Sequence, residues 1–356
     1  MSKKTAVICF NLGGPDNLDA IQPFLFNLFN DKAIIRLPWP FRTMLAKLIS
    51  SKRAPIAKEI YGHIGNKSPI LELTTKQTEV LEKALNMDIK SESSTEANTK
   101  TEYKTFIAMR YWKPLANEAV KKVKEWGADN VILLPLYPQF STTTSGSSIQ
   151  QCKSEMKKAG LNIGVTTIGC YPTEDSFIAA HAELIKESIK KVGDKPFRLL
   201  FSAHGLPEKI VDAGDSYQWQ VEQTTKAVME KLTEDLGQAP DHIICYQSRV
   251  GPLKWIGPST EDEISNAGKD EKAIILIPIA FVSEHSETLV ELDIEYKELA
   301  DEHGVKDYIR VPALGTTEHF INALRDVVLL AQQNNGVISH KNQRLCPKSF
   351  GDCICH

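Results

Sequence analysis

Ile275–Tyr296 reads ILIPIAFVSEHSETLVELDIEY. It opens as an unbroken apolar run with one proline, Ile275 to Val282, the pattern of a strand covered on both faces. Polarity then reverses at Ser283-Glu284-His285-Ser286-Glu287, and a helical period takes over. At about 100° per residue, Glu284, Glu287, Glu291 and Glu295 fall within an arc of roughly 80°. Leu289, Leu292, Tyr296 and Leu299 fall on the opposite arc, which would face a core. Like charges at this spacing oppose one another by about 0.2–0.5 kcal/mol per pair. No Lys or Arg before Lys297 relieves them. Two readings fit: a solvated acidic face, or a cation track beside His285 at a C-terminal strand end, where open α/β sheets place their ligands.

The same alternation of apolar runs and helix-period segments continues along the chain and predicts an α/β fold with helix-covered parallel sheets. Strands are expected near 5–11, 105–110, 130–136, 165–170, 197–203, 242–247, 272–282 and 308–313. They divide four and four about Cys170-Tyr171-Pro172, which gives domains of 1–170 and 171–333 and a Cys-rich tail, 334–356. The polar residues 89–104 read as a mobile surface loop. A content of 42% hydrophobic and 24% charged residues, with a net charge of −3, is that of a globular protein. No basic stripe points to nucleic acid. There is no leader-like segment and no apolar run of the roughly 18–20 residues a membrane span needs, so the expected address is the cytoplasm.

Several of the expected strands run into unusual segments. NLGGP (11–15) allows close backbone approach, but without GxGxxG or a Walker lysine it does not support a nucleotide. MRYW (109–112), LYPQFSTTTSGSS (136–148), FSAHGLP (201–207) and CYQSRVGPLKWIGP (245–258) are rich in aromatic and hydroxyl groups. Gathered at one edge they would wall a large apolar pocket. His204, paired with His285 and the carboxylates, is a candidate base or metal ligand, because imidazole titrates near neutrality. Imidazole with carboxylate suits a divalent first-row ion such as Fe²⁺. Residues 22–49 carry Phe24, Leu25, Leu28, Phe29, Trp39, Phe41, Leu45 and Leu48, more apolar surface than a small helical excursion uses. Ordinary packing is one reading; a greasy lip for an apolar ligand or membrane surface, helped by Lys47, Lys52 and Arg53, is the other.

These segments, together with SPI (68–70), resemble in order and over Ala6 to about Ala331 the ferrochelatases, which insert Fe²⁺ into a porphyrin. The resemblance implies two similar Rossmann-like domains, each with a four-stranded parallel sheet, and a porphyrin cleft between them. It implies that the chain converts protoporphyrin IX and Fe²⁺ to protohaem with release of two protons. Coproporphyrin III as substrate and a non-catalytic tetrapyrrole carrier are the alternatives. It casts His204 as the residue that binds metal or accepts pyrrole protons, and Glu287 as its acidic partner. Glu284, His285, Glu291 and Glu295 resemble the accompanying metal or proton path. Arg110, Tyr111, Tyr137, Ser141 and Trp255 match porphyrin-pocket positions. The lip then implies peripheral contact with the inner face of the cytoplasmic membrane, and a homodimer stays open.

Of seven cysteines, Cys346, Cys353 and Cys355 crowd the last eleven residues, and clustered cysteines in a cytoplasmic chain suggest a metal or cluster before disulfides. Cys346-x6-Cys353-x-Cys355 resembles the ligand set of the cluster-bearing bacterial ferrochelatases, which implies a [2Fe–2S] centre completed by an internal cysteine. Cys170, at a strand end, is the first choice and Cys152 the second. The animal-type internal cysteine is absent from the Ser141-Thr142-Thr143-Thr144 loop. A thiol tail without a ligand and a zinc site using His356 are the other readings.

Overall fold

The computed structural model describes residues 2–91, 101–249 and 253–355. The chain forms two compact units. The first comprises Met1–Cys170, Leu324–Leu345 and Ile354–His356; the second comprises Tyr171–Ala323 and Cys346–Cys353.

In the first unit the strands are β1 (Lys3–Leu12), β2 (Thr101–Arg110), β3 (Asn130–Pro135), β4 (Gly164–Cys170) and β9 (Gly336–Ser339). They form one parallel sheet in the order β2-β1-β3-β4-β9. Central β1 is fully buried from Ala6 to Cys9, as its VICF run requires of a strand covered on both faces. Helices α1 (Ile21–Phe29), α2 (Trp39–Gly62), α3 (Ile70–Ser91), α4 (Ala116–Trp126) and α5 (Ser147–Lys158) accompany the sheet. Helix α4 shows why: Ala116, Ala119, Val120 and Val123 are buried at helical spacing, and Gly127 ends it with a φ of 73°. These side chains share a core with Ile8, Phe10, Leu133, Ile149 and Met156. Each larger apolar side chain so buried contributes about 1.5–3 kcal/mol.

The second unit holds helices α6 (Asp175–Val192), α7 (Glu208–Asp212), α8 (Tyr217–Leu236) and α9 (Thr260–Lys269) around strands β5 (Phe197–His204), β6 (His242–Gln247), β7 (Ala273–Pro278) and β8 (Tyr308–Arg310). This parallel sheet has the order β6-β5-β7-β8. Past β7 the chain enters a π-helix, Glu287–Glu295, that runs into α10 (Tyr296–Glu302); α11 spans Glu318–Gln332. Ile274 to Ile277 are fully out of solvent, and Leu292, Tyr296 and Ala300 pack with them. In both sheets the chain reverses direction beside its first strand, between β1 and β3 and between β5 and β7. Such switch points open a crevice at the C-terminal strand ends.

Four particulars depart from the sequence reading. The first sheet has five strands, not four, because β9 from the tail pairs with Thr166–Cys170 of β4. GVIS is only four residues long, too short to stand out of polar surroundings. The tail therefore does not stand apart: residues 334–345 and 354–356 belong to the first unit and Cys346–Cys353 to the second. The apolar run expected to be a strand to Val282 stops as a strand at Pro278, where Ile279 N–H turns back to the Ile277 and Ser202 carbonyls. Of the expected loop at 89–104, α3 takes the beginning to Ser91 and β2 the end from Thr101, and 92–100 lie outside the described residues.

Candidate functional site

His204 closes β5 at the switch point of the second sheet. Its Nδ1 lies 2.7 Å from the Gly205 carbonyl. A carbonyl only accepts, so Nδ1 carries the proton and Nε2 presents a lone pair. Gly205 is held by its N–H to the Gln247 carbonyl at 2.9 Å. A Cβ there would stand 3.0 Å from that oxygen and 3.3 Å from the Trp255 ring, so the close approach selects glycine. Opposite stands Glu287, whose Oε2 is 3.8 Å from His204 Nε2 and 3.9 Å from His285 Nε2. His285 likewise donates from Nδ1 to the Ser283 carbonyl, at 3.1 Å. Two imidazole nitrogens and a carboxylate oxygen thus face one small space at distances too long for hydrogen bonds. Glu287 Oε2 is buried with no hydrogen-bond partner.

Burial pushes the Glu287 carboxyl up, but His204 and His285 outweigh it and hold the group down at about 2. His285 is pulled down by burial and raised further by Glu287, ending above its ordinary 6.5. The signs follow from linkage. The Glu287 contribution to stability is present above the unfolded carboxylate range and is lost as pH falls toward 2. The His285 contribution is present below pH 6.5 and is lost as pH rises through the raised value. In Glu287→Gln the burial of His285 is left with less opposition. Its NMR titration midpoint is therefore expected above 6.5 in the wild type and lower in the variant; an unchanged midpoint would refute the coupling.

The π-helix redistributes the remaining acids. Its wide turn places Glu291 against β6, where it accepts from Gln247 Nε2 (3.1 Å), Ser248 N (2.9 Å), Ser248 Oγ (2.6 Å) and Tyr296 Oη (3.2 Å). Ser248 sits at a φ of 59°, and its two bonds to Glu291 offset a conformation that costs a non-glycine residue about 1–3 kcal/mol. Glu284 is bound by Arg310 Nη1 at 2.5 Å and by the Ala313 N–H at 2.9 Å. The cation missing from the local sequence is thus supplied from β8. Glu295 is exposed on the last turn. Of the core-facing arc, Leu292 and Tyr296 are buried and Leu289 and Leu299 half-buried. Trp255 is half-buried with its Nε1 buried and unpartnered. Residues 250–252 of the adjoining segment lie outside the described residues.

In the first unit, Arg110 ends β2 inside a polar network that the sequence did not disclose. Its guanidinium reaches Ser147 Oγ (3.0 Å), Gln151 Oε1 (2.5 Å) and Asp31 Oδ2 (2.5 Å). The same Asp31 oxygen accepts from Tyr111 Oη at 2.8 Å and Ser147 Oγ at 3.2 Å. Burial pushes Asp31 up, but the Ala33 N–H, Arg110 and Tyr111 bring it below the ordinary carboxylate range. Tyr111 adopts a φ of 69° and stacks under the guanidinium at 4.7 Å. Gly13 lies against this turn: a Cβ there would meet the Arg110 carbonyl at 2.2 Å. Ser141 is buried and caps a π-helical turn, Thr142–Gly146, by accepting from Thr143 N–H at 3.2 Å. Tyr137 is half-buried just past β3.

Comparison with known proteins decides what these strand ends belong to. The family model "Ferrochelatase" matches residues 4–332. The chain belongs to the ferrochelatase family. Its sequence is 53% identical over 357 residues to the ferrochelatase of Pelagibacter ubique, covering 99% of this chain and 98% of that one. It is 51% identical to the ferrochelatase of Caulobacter vibrioides (100% and 98% covered) and 50% to that of Rickettsia bellii (99% and 95%). Among solved structures, SirB from Bacillus subtilis with Fe3+ matches 92% of this chain and 95% of its own at a TM-score of 0.50 and 10% identity, a likeness of fold.

All seven cysteines of this ferrochelatase are buried. In the second unit Cys346 Sγ accepts from Gln220 Nε2 at 3.1 Å, and the neighbouring Cys353 thiol, then burial, raise its pKa. In the first unit Cys355 Sγ lies 2.5 Å from where a Cβ on Gly169 would stand, one residue before Cys170. Cys152 sits in the apolar core beside Ile149 and Met156, and burial pushes its thiol up to about 12, the setting of an inert structural cysteine. His356 lies outside the described residues. Among the described residues no group of three or more His, Cys, Asp or Glu stands ready to hold a metal ion. The lip divides: Phe24 is buried, whereas Trp39, Phe41, Met44 and Leu48 are 70, 64, 72 and 53% exposed.

Proposed function

We propose that this ferrochelatase inserts Fe²⁺ into protoporphyrin IX to give protohaem and two protons. The observation that carries the residue roles is the convergence of His204 Nε2, His285 Nε2 and Glu287 Oε2 at one strand-end crevice. Metalation breaks two pyrrole N–H bonds; each nitrogen keeps its electron pair and gives it to iron, and two protons leave. His204 is the base for a pyrrole proton, since its Nε2 lone pair is fixed outward. Glu287, ionised far below neutrality, is a poor proton acceptor and serves as the charge that draws Fe²⁺ and steadies the imidazolium. His285 and Glu291 extend this set. Glu284, tied to Arg310, and exposed Glu295 take no direct part. Arg110, Tyr111, Tyr137, Ser141 and Trp255 shape the porphyrin's surroundings. Arg110 and Tyr111 do so as the rigid wall that Asp31 holds together, rather than as free donors. Anaerobic mixing with Fe²⁺ and either protoporphyrin IX or coproporphyrin III, followed by absorbance, tests the assignment. Haem should form faster from protoporphyrin IX; faster turnover of coproporphyrin III would reverse the substrate choice.

A [2Fe–2S] cluster on Cys170, Cys346, Cys353 and Cys355 belongs to the same reading. Within the second unit Cys346 and Cys353 are neighbours, within the first Cys355 packs against the residue before Cys170, and thiols are the ligand type that iron–sulfur clusters take. Such a group supplies an electron-transfer centre, and no step of metal insertion is assigned to it.

The exposed face of α2 is the proposed membrane contact. Phe41, Met44 and Leu48 recur at helical spacing beside Trp39, with Lys47, Lys52 and Arg53 nearby. No helix among the described residues is long and apolar enough to cross a membrane. Replacing Trp39 and Phe41 together by serine is expected to lower sedimentation with anionic vesicles about tenfold or more. Equal sedimentation of the variant would dismiss the lip as the contact.

A further inference from the structure

The π-helix Glu287–Glu295 carries the site's acids, and its i→i+5 turns are rare because they are poorly stabilised by their own backbone. Something outside the helix must hold it. Strand β8 supplies two such contacts. Arg310 grips Asp293 with two parallel bonds, Nε to Oδ1 at 2.7 Å and Nη2 to Oδ2 at 2.5 Å. Its third nitrogen, Nη1, binds Glu284 Oε1 at 2.5 Å, just ahead of the helix. Two residues earlier in β8, Tyr308 Oη donates to the Leu292 carbonyl at 2.6 Å inside the widened turns. The Arg310 side chain is only 11% exposed, so this fork works in a largely water-free setting where removing one partner leaves unpaired charge.

We infer that Arg310 is a positioning residue for metal insertion: it ties Glu284, just ahead of the π-helix, to Asp293 within it and so fixes the register that turns Glu287 toward His204 and His285. Glu287 lies between the two residues that the guanidinium holds. A planar fork fixes two carboxylates in one orientation, which a lysine ammonium cannot do, while the charge stays the same. The role rests on the proposed roles of His204 and Glu287.

The test compares Arg310→Lys and Arg310→Ala with the wild type, measuring thermal melting, porphyrin affinity and the rate of Fe²⁺ insertion. Arg310→Lys is expected to melt cooperatively and bind porphyrin like the wild type, with kcat lowered about 10- to 100-fold, the scale on which small misplacement of a reacting group acts. In Arg310→Ala, added guanidinium at non-denaturing concentration is expected to recover part of kcat, and sodium chloride at equal ionic strength none. Arg310→Lys turning over within about twofold of the wild type would overturn the inference. So would a guanidinium effect on melting with none on kcat. A wild type that makes no metalloporphyrin would instead remove the proposed function itself.

Discussion

His204→Ala is expected to lower the rate of Fe²⁺ insertion at least about 100-fold while leaving porphyrin affinity within a small factor, the range in which a positioned base contributes to a proton transfer. The side chain is 40% exposed, so its truncation withdraws little buried surface from the second unit. Among the described residues its side-chain hydrogen bond goes to the carbonyl of its own neighbour, so its removal strands no distant partner there. Surface changes of this kind move stability by about 0.5 kcal/mol or less. A collapse of turnover in a protein that melts like the wild type therefore reports chemistry. Turnover within about threefold of the wild type would leave His204 without the role of base.

Glu287→Gln is expected to be comparably damaging, about 100-fold, through a different route. Glutamine keeps the shape and removes the charge. Among the described residues the carboxylate's ion-pair partners are imidazoles at 3.8 and 3.9 Å, beyond hydrogen-bond length, so the variant keeps the hydrogen bonds that hold the fold there. The loss falls on whatever positive charge enters that space, first Fe²⁺ and then the protonated base. The apparent KM for Fe²⁺ should rise as kcat falls, whereas His204→Ala should act on kcat alone. Stability should also respond. Burial first and repulsion from Glu287 second raise Glu291, so the variant removes the second cause and lets Glu291 ionise more readily; it also removes the acid-side loss that wild-type Glu287 imposes as pH drops toward 2. If both substitutions changed kcat and KM identically, the division of labour between base and charge would be wrong.

The strands were legible because a strand covered on both faces is a continuous apolar word, and Ile274–Ile277 or Ala6–Cys9 can be read as little else. The loops carrying His204, Glu287 and Trp255 stood out because polarity reverses abruptly at those strand ends. What stayed hidden is non-local. The acidic run after Ser283 seemed unrelieved because Arg310, its counter-charge, follows Glu284 by 26 residues. Asp31 precedes Arg110 by 79 residues, and nothing in FNLFND distinguishes it from a solvated acid. The π-helix was read with an ordinary helical period because composition does not encode which carbonyl an amide will choose. That choice moves Glu295 out to solvent and leaves Glu291 wrapped in four donors. Strand β9 was missed through brevity alone.

The most direct test of the His204–Glu287 account is a single-turnover measurement. Protein saturated with protoporphyrin IX is mixed with Fe²⁺ under anaerobic conditions, and the conversion of bound porphyrin to haem is followed for the wild type, His204→Ala, Glu287→Gln and the double variant. If the two groups act as a unit, each single variant loses about 100-fold or more, and the double variant is no more than about tenfold worse than the weaker single one. Fully multiplicative losses would separate the two residues into independent roles, and single variants turning over at the wild-type rate would contradict the account.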